Sequence, residues 1–125
     1  MPPITHKNTS KELSPAALEL IATRFSALAE PMRLRILNLL MKEECTIGRL
    51  VEMTASSQAN ISKHVALLRD AGMVGSRKEG PCNYCFIADP IVNELCEMMC
   101  SRLRDEMEAK AEDLQSFAPS GHSST

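Results

Sequence analysis

The run TIGRLVEMTASSQANISKHVALL, residues 46–68, constrains the fold more than any other stretch. Thr46 can cap a short helix over Ile47 to Met53, and Thr54-Ala55-Ser56 breaks it and caps another that begins at Ser57. Two short helices joined by a tight polar turn read as a helix-turn-helix. In the second of them Ile61, Val65 and Leu68 share one side by their spacing of four and three. The opposite arc carries Ser56, Ala59, Asn60 and Lys63, flanked by Gln58, Ser62 and His64. Amide, hydroxyl and cationic groups of this kind bond base edges and phosphates, and small residues let a helix axis approach a groove. A solvated helix face has the same composition, so the segment alone leaves both readings open.

The flanking sequence supplies a scaffold. Ser14 before Pro15 is a helix start, followed by Leu18, Ile21, Ala22, Phe25 and Leu28 at helical spacing and an end near Glu30. Pro31 opens a second helix whose stripe is Ile36, Leu37, Leu40 and Met41, with Arg33 and Arg35 off it. After the helix stop Ala71-Gly72, a strand begins at Met73-Val74, Glu79-Gly80-Pro81 is a turn, and Asn83 to Ile87 is a second strand. This hairpin, with Arg77 and Lys78 at its tip, is a wing that can reach backbone phosphate. From Pro90 to about Phe117 runs a long helix with Val92, Cys96, Met99, Leu103 and Met107 on one stripe. Its one-sidedness, and that of the first helix, points to burial against another copy of the chain.

The expected fold is therefore mainly α with a small β-hairpin: a dimeric winged helix-turn-helix of about five helices plus a two-stranded wing. Residues 14–117 form the domain, between a flexible segment at 1–13 and a disordered tail at 118–125. The formal net charge of -2 means that nucleic-acid binding needs positive charge gathered on one face rather than a polycation. The first residues contain no apolar run of signal-peptide length and no segment is long enough to cross a bilayer, so a cytoplasmic location is expected. In that reducing compartment five cysteines, an odd count, suggest free thiols, metal ligands or redox sensors rather than structural disulfides.

The segments LAEPMRLRILNLL, SSQANISKHVALLRDAGMV and SRKEGPCNYCFIAD resemble the second helix, the recognition helix and the wing of the ArsR/SmtB family of bacterial winged-helix repressors. The resemblance runs from about Leu18 to Leu103. It implies a homodimer, joined through the first and last helices, that sits on a pseudo-palindromic double-stranded operator and leaves when an inducer binds. Matched residue by residue, it makes Ser57, Gln58, Asn60, Ser62, Lys63 and His64 the candidate DNA contacts, with Arg77 and Lys78 reaching from the wing. The family's sensor sites are not matched. Thr46 and Gly48 stand where a Cys-x-Cys is found in one version, with Cys45 just outside it. Asp89, Ile91, Arg102 and Asp105 stand where zinc ligands lie in another, and Asn38 where a dithiol persulfide sensor has its cysteine in the second helix.

Four of the five cysteines fall between Gly80 and Cys100. Cys82 and Cys85 form a C-x-x-C on the wing's return strand, where exposure leaves cysteine little packing role, and Cys96 and Cys100 lie one helical turn apart. Together these four are the candidate metal ligands, suited to a soft thiophilic ion such as trivalent arsenic or antimony, cadmium, lead or mercury acting as inducer. No obligatory cofactor is expected. Core packing of Cys96 and Cys100, a thiol redox or persulfide response, and a structural Cys-zinc site in a constitutive DNA-binding module are the alternatives. Cys45 is expected to be dispensable. An enzyme is not expected, since a redox-active C-x-x-C gains from a helix N-terminus and Tyr84-Cys85-Phe86 reads as strand.

Overall fold

The computed structural model describes residues 12–117, so the expectations for the tail at 118–125 and for most of 1–13 lie outside the described residues. Its elements are α1 (Pro15–Leu28), α2 (Pro31–Lys42), β1 (Cys45–Thr46), α3 (Ile47–Thr54), α4 (Gln58–Asp70), β2 (Val74–Glu79), β3 (Cys82–Ile87) and α5 (Ile91–Phe117). Backbone contacts divide them into two units, Met1–Asp89 and Pro90–Thr125, the second consisting of α5.

In the first unit each helix starts where the local chemistry supplies a cap. Ser14 Oγ accepts from the Ala17 N–H at 3.1 Å, and Glu30 Oε1 accepts from the Arg33 N–H at 2.8 Å, each before a proline that needs no such partner. Arg33 also reaches back to close the α1–α2 corner, donating to the carbonyls of Ala27 at 2.7 Å and Ser26 at 3.3 Å. The stripe of α2 buries Ile36, Leu37 and Leu40, that of α3 buries Leu50, and that of α4 buries Ile61, Val65 and Leu68. Full burial of such a side chain is worth about 1.5–3 kcal/mol, so the contacts of α2, α3 and α4 fix the helix-turn-helix far more firmly than its turn does.

Helix α4 stops at Gly72, whose φ of 79° suits glycine, while the Met73 N–H returns to the Leu68 carbonyl at 2.9 Å. The chain then enters the hairpin, in which Val74 faces Ile87 and Glu79 faces Cys82 across the two-residue turn Gly80-Pro81. Gly80, at φ 63°, takes the positive-φ first position that a II′ turn demands. The sheet is antiparallel and has three strands in the order β1-β3-β2, not the two expected. The extra strand β1 pairs Cys45 with Cys85 and Thr46 with Tyr84. Two residues are too short for an alternating pattern, so nothing in the sequence announced it.

Helix α5 carries an apolar row that is exposed: Met98, Met99, Leu103, Met107 and Leu114 are between 51 % and 71 % accessible. In α1, Leu18, Leu20 and Phe25 are likewise more than half exposed.

Candidate nucleic-acid interface and thiol groups

The turn between α3 and α4 is built by two side chains and one backbone conformation. Thr54 Oγ1 donates to the Leu50 carbonyl at 2.7 Å and accepts from the Ser56 N–H at 3.4 Å. Ala55 takes a left-handed conformation, φ 57° and ψ 29°, which costs a residue with a Cβ about 1–2 kcal/mol. Ser57 Oγ then caps α4 by accepting from the Asn60 N–H at 3.1 Å. The turn thereby fixes where the N-terminus of α4, the positive end of its dipole, is presented.

On α4 the buried Ile61, Val65 and Leu68 leave an outward arc in which Ser57, Gln58, Ala59, Ser62, Lys63 and Ala66 are exposed. Among the described residues, Gln58, Ser62 and Lys63 have side chains without a hydrogen-bond or ion-pair partner, which leaves their donors and acceptors available. Asn60 and His64 stand differently. Asn60 is half-buried and its Nδ2 donates to Ser56 Oγ at 2.8 Å, so its amide bridges the turn. His64 is half-buried with Nδ1 3.2 Å from Arg33 Nη1. A guanidinium can only donate, so Nδ1 accepts and the ring proton sits on Nε2. With Ser57 capping the helix, three of the six candidate contacts at α4 are thus already engaged by the protein.

The wing departs from expectation in two respects. Its tip is Gly80-Pro81, and Arg77 and Lys78 lie within β2 opposite Tyr84 and Asn83. The Arg77 guanidinium lies over the Tyr84 ring, 5.2 Å from its centroid, with Nε donating to Glu44 at 2.9 Å and Nη1 to Glu79 at 3.1 Å. Two carboxylates balance its charge. Lys78 is exposed and has no such partner among the described residues.

The thiols are arranged otherwise than the C-x-x-C spacing suggests. Side chains alternate across a strand, so residues three apart point to opposite faces. Cys82 is exposed while Cys85 is buried, which corrects the expectation that the wing leaves cysteine without a packing role. Cys85 faces Cys45, also buried, across the β1–β3 ladder. Burial pushes both thiols above their ordinary pKa: for Cys85 desolvation leads, opposed by Arg69 and assisted by Cys45; for Cys45 desolvation leads, with Glu43 raising and Arg49 lowering. The Cys45 thiol donates to the Glu43 carbonyl, Sγ to O 3.4 Å. On α5, Cys96 is half-buried and Cys100 exposed; desolvation first, then Cys100, raises the Cys96 thiol. Among the described residues no three His, Cys, Asp or Glu side chains are grouped to hold a metal ion. The Cys45–Cys85 pairing was missed because it depends on a strand too short to recognise.

Residues 30–76, from the N-cap of α2 into β2, match the family model described as bacterial regulatory protein, arsR family. The chain is 34% identical over 82 residues to an HTH-type transcriptional regulator of Methanocaldococcus jannaschii, covering 65% of this chain and 92% of that protein. It is 33% identical over 93 residues to the probable mercury resistance operon repressor of Streptomyces lividans, covering 74% of this chain and 66% of that protein. Among solved structures, the homodimeric winged helix-turn-helix DNA-binding domain of a Mycobacterium bovis protein superposes with a TM-score of 0.70 at 26% identity, covering 84% of this chain and 93% of that one.

Proposed function

We propose that this chain, which belongs to the arsR family of bacterial regulatory proteins, works as a homodimeric transcriptional repressor that leaves its operator when a soft metal or metalloid binds cysteine thiols. The observation that carries the DNA-binding half is the arc of α4, where unpartnered Gln58, Ser62 and Lys63 surround a capped helix N-terminus while the opposite face is locked into the core. Gln58 suits a bidentate contact to adenine in the major groove, and Lys63 suits phosphate. Ser57 and Ser62 add hydroxyls beside them. Asn60 and His64 contribute through what they still offer, the Asn60 carbonyl oxygen and the His64 Nε2 proton. From the wing, Lys78 meets the backbone directly and Arg77 only after loosening its hold on Glu44 and Glu79.

The exposed rows of α1 and α5 support dimerisation, as does the homodimeric relative in the same fold. Two copies place two α4 helices on half-sites about one helical turn apart. Among the described residues no helix is long and apolar enough to cross a membrane. The inducer reading rests on the number of thiols and on the similarity to a mercury resistance repressor. Cys96 and Cys100 offer two sulfurs one turn apart on α5, and exposed Cys82 is open to a thiophile that also draws on a partner subunit.

Selection from a pool of random DNA duplexes tests this reading. The chain should enrich a two-fold symmetric sequence whose half-sites are about 10 base pairs apart, and bound duplex should be released by arsenite, cadmium or mercuric ion. Enrichment of no sequence contradicts the repressor reading, and enrichment without release contradicts the inducer.

A further inference from the structure

We propose that Cys45 and Cys85 together form a two-sulfur site for a soft thiophile that needs no other protein ligand, a trivalent metalloid hydroxide or a linearly coordinated soft dication. The pair lies at directly opposed positions of the antiparallel β1–β3 ladder, so both side chains leave the same face of the sheet. Opposed residues have Cβ atoms about 4.5–5.5 Å apart. A direct disulfide wants about 3.5–4.5 Å, which meets that range only at its short end. Two sulfurs each about 2.3 Å from an ion of zinc's size can stand up to twice that distance apart, so a bridging atom fits the ladder spacing better than an S–S bond.

The surroundings select among thiophiles. With no further His, Cys, Asp or Glu gathered there among the described residues, an ion that requires four protein ligands is not satisfied. Both residues are 2 % exposed, and β1 is a two-residue strand at the sheet edge, so entry needs only local parting of a very short ladder. Burial keeps both groups as thiols, and the ligand displaces their protons. With a trivalent trihydroxide, two S–H bonds break, two sulfur–metalloid bonds form and two hydroxides leave with those protons as water. With a dication, the two protons go to solvent. Neither route changes an oxidation state.

The position couples the pair to both DNA-facing elements. Thr46, next to Cys45, caps α3 by accepting from the Arg49 N–H at 3.1 Å, and Glu44 on its other side holds Arg77 of the wing. Ligand that spreads Cys45 from Cys85 therefore disturbs the start of the helix-turn-helix and the wing together. That consequence rests on the repressor reading; uptake itself does not.

The test begins with the full chain carrying Cys82→Ser, Cys96→Ser and Cys100→Ser, which retains only the β1–β3 pair. In excess monothiol it should keep one equivalent of arsenite or of mercuric ion by intact mass, and keep no zinc. Added without monothiol, free mercuric ion should release two protons per ion and arsenous acid none, which separates the two ligand classes. Adding Cys45→Ala, or in a separate chain Cys85→Ala, should weaken retention about 100-fold or more, the usual gain from a second linked contact. The chain with all five cysteines gives an independent check: protease digestion after arsenite should yield an adduct joining the peptides of Cys45 and Cys85. No uptake by the three-site variant, equal retention without Cys45, or adducts joining only other cysteines overturns the site and leaves the two thiols as core packing. DNA selection without any thiophile stands or falls separately, so loss of this site is not confused with loss of the repressor.

Discussion

Helices α4 and α5 have similar amphipathic patterns and opposite fates. The apolar side of α4, Ile61, Val65 and Leu68, is 0% exposed because α2, α3 and the sheet cover it. Along α5 the comparable row of Met98, Met99, Leu103, Met107 and Leu114 is more than half exposed. A periodic apolar stripe thus specifies a helix that must be covered, but not by what. In α4 the cover belongs to the same chain, and the polar arc is the proposed DNA face; for α5 the proposed cover is a second copy.

The contrast is most severely tested by charging the α5 row. Leu103→Glu together with Met107→Glu should leave the chain helical but monomeric by sedimentation, and weaken binding to a selected symmetric duplex about 100-fold or more as two linked half-sites become one. A dimer that survives both changes breaks the contrast. Next in size, Ile61→Ala should cost about 2–5 kcal/mol in denaturant unfolding as a cavity opens under α4. Met99→Ala, on an exposed site of the single chain, should lower the stability of a monomeric variant by no more than about 0.5 kcal/mol.

Changes on the polar arc of α4 should spare folding and alter recognition. Gln58→Ala should cost about 1–3 kcal/mol at particular base pairs, while Lys63→Ala and Lys78→Ala should weaken binding evenly and lower the salt slope by about one unit each. Arg77→Ala should lower that slope by less than Lys78→Ala, because Glu44 and Glu79 already balance its charge. Equal slopes for the two wing variants would show that Arg77 abandons its carboxylates on DNA. The smallest effect is expected at the turn: Ala55→Gly relieves a left-handed alanine but loosens the unfolded chain, for a net gain of about 0.5 kcal/mol in unfolding free energy.

Local chemistry made much of this legible in the sequence. Ser14, Glu30 and Ser57 are caps whose partners lie three residues away, and the Thr54 hydroxyl bonds within four, so their geometry is set within the segment. The stripes of α2 and α4 gave the buried face directly. What depended on distant pairing was not legible. Arg33 holding His64, 31 residues on, Arg77 turned to Glu44, 33 residues back, and Cys45 set against Cys85 all need the folded chain. The C-x-x-C misled for a related reason: its spacing suggests chelation only where the backbone turns, and in an extended strand it separates the two sulfurs onto opposite faces.

The stoichiometry of chain on DNA addresses the α4–α5 contrast most directly. Native mass measurement of the protein on a selected duplex should find two chains on a full symmetric site, with the Leu103→Glu, Met107→Glu variant giving single chains bound weakly to half-sites. One chain per full site at saturating protein, or two chains held as tightly by the charged variant, would contradict the claim that a second copy covers α5 and sets two recognition helices side by side.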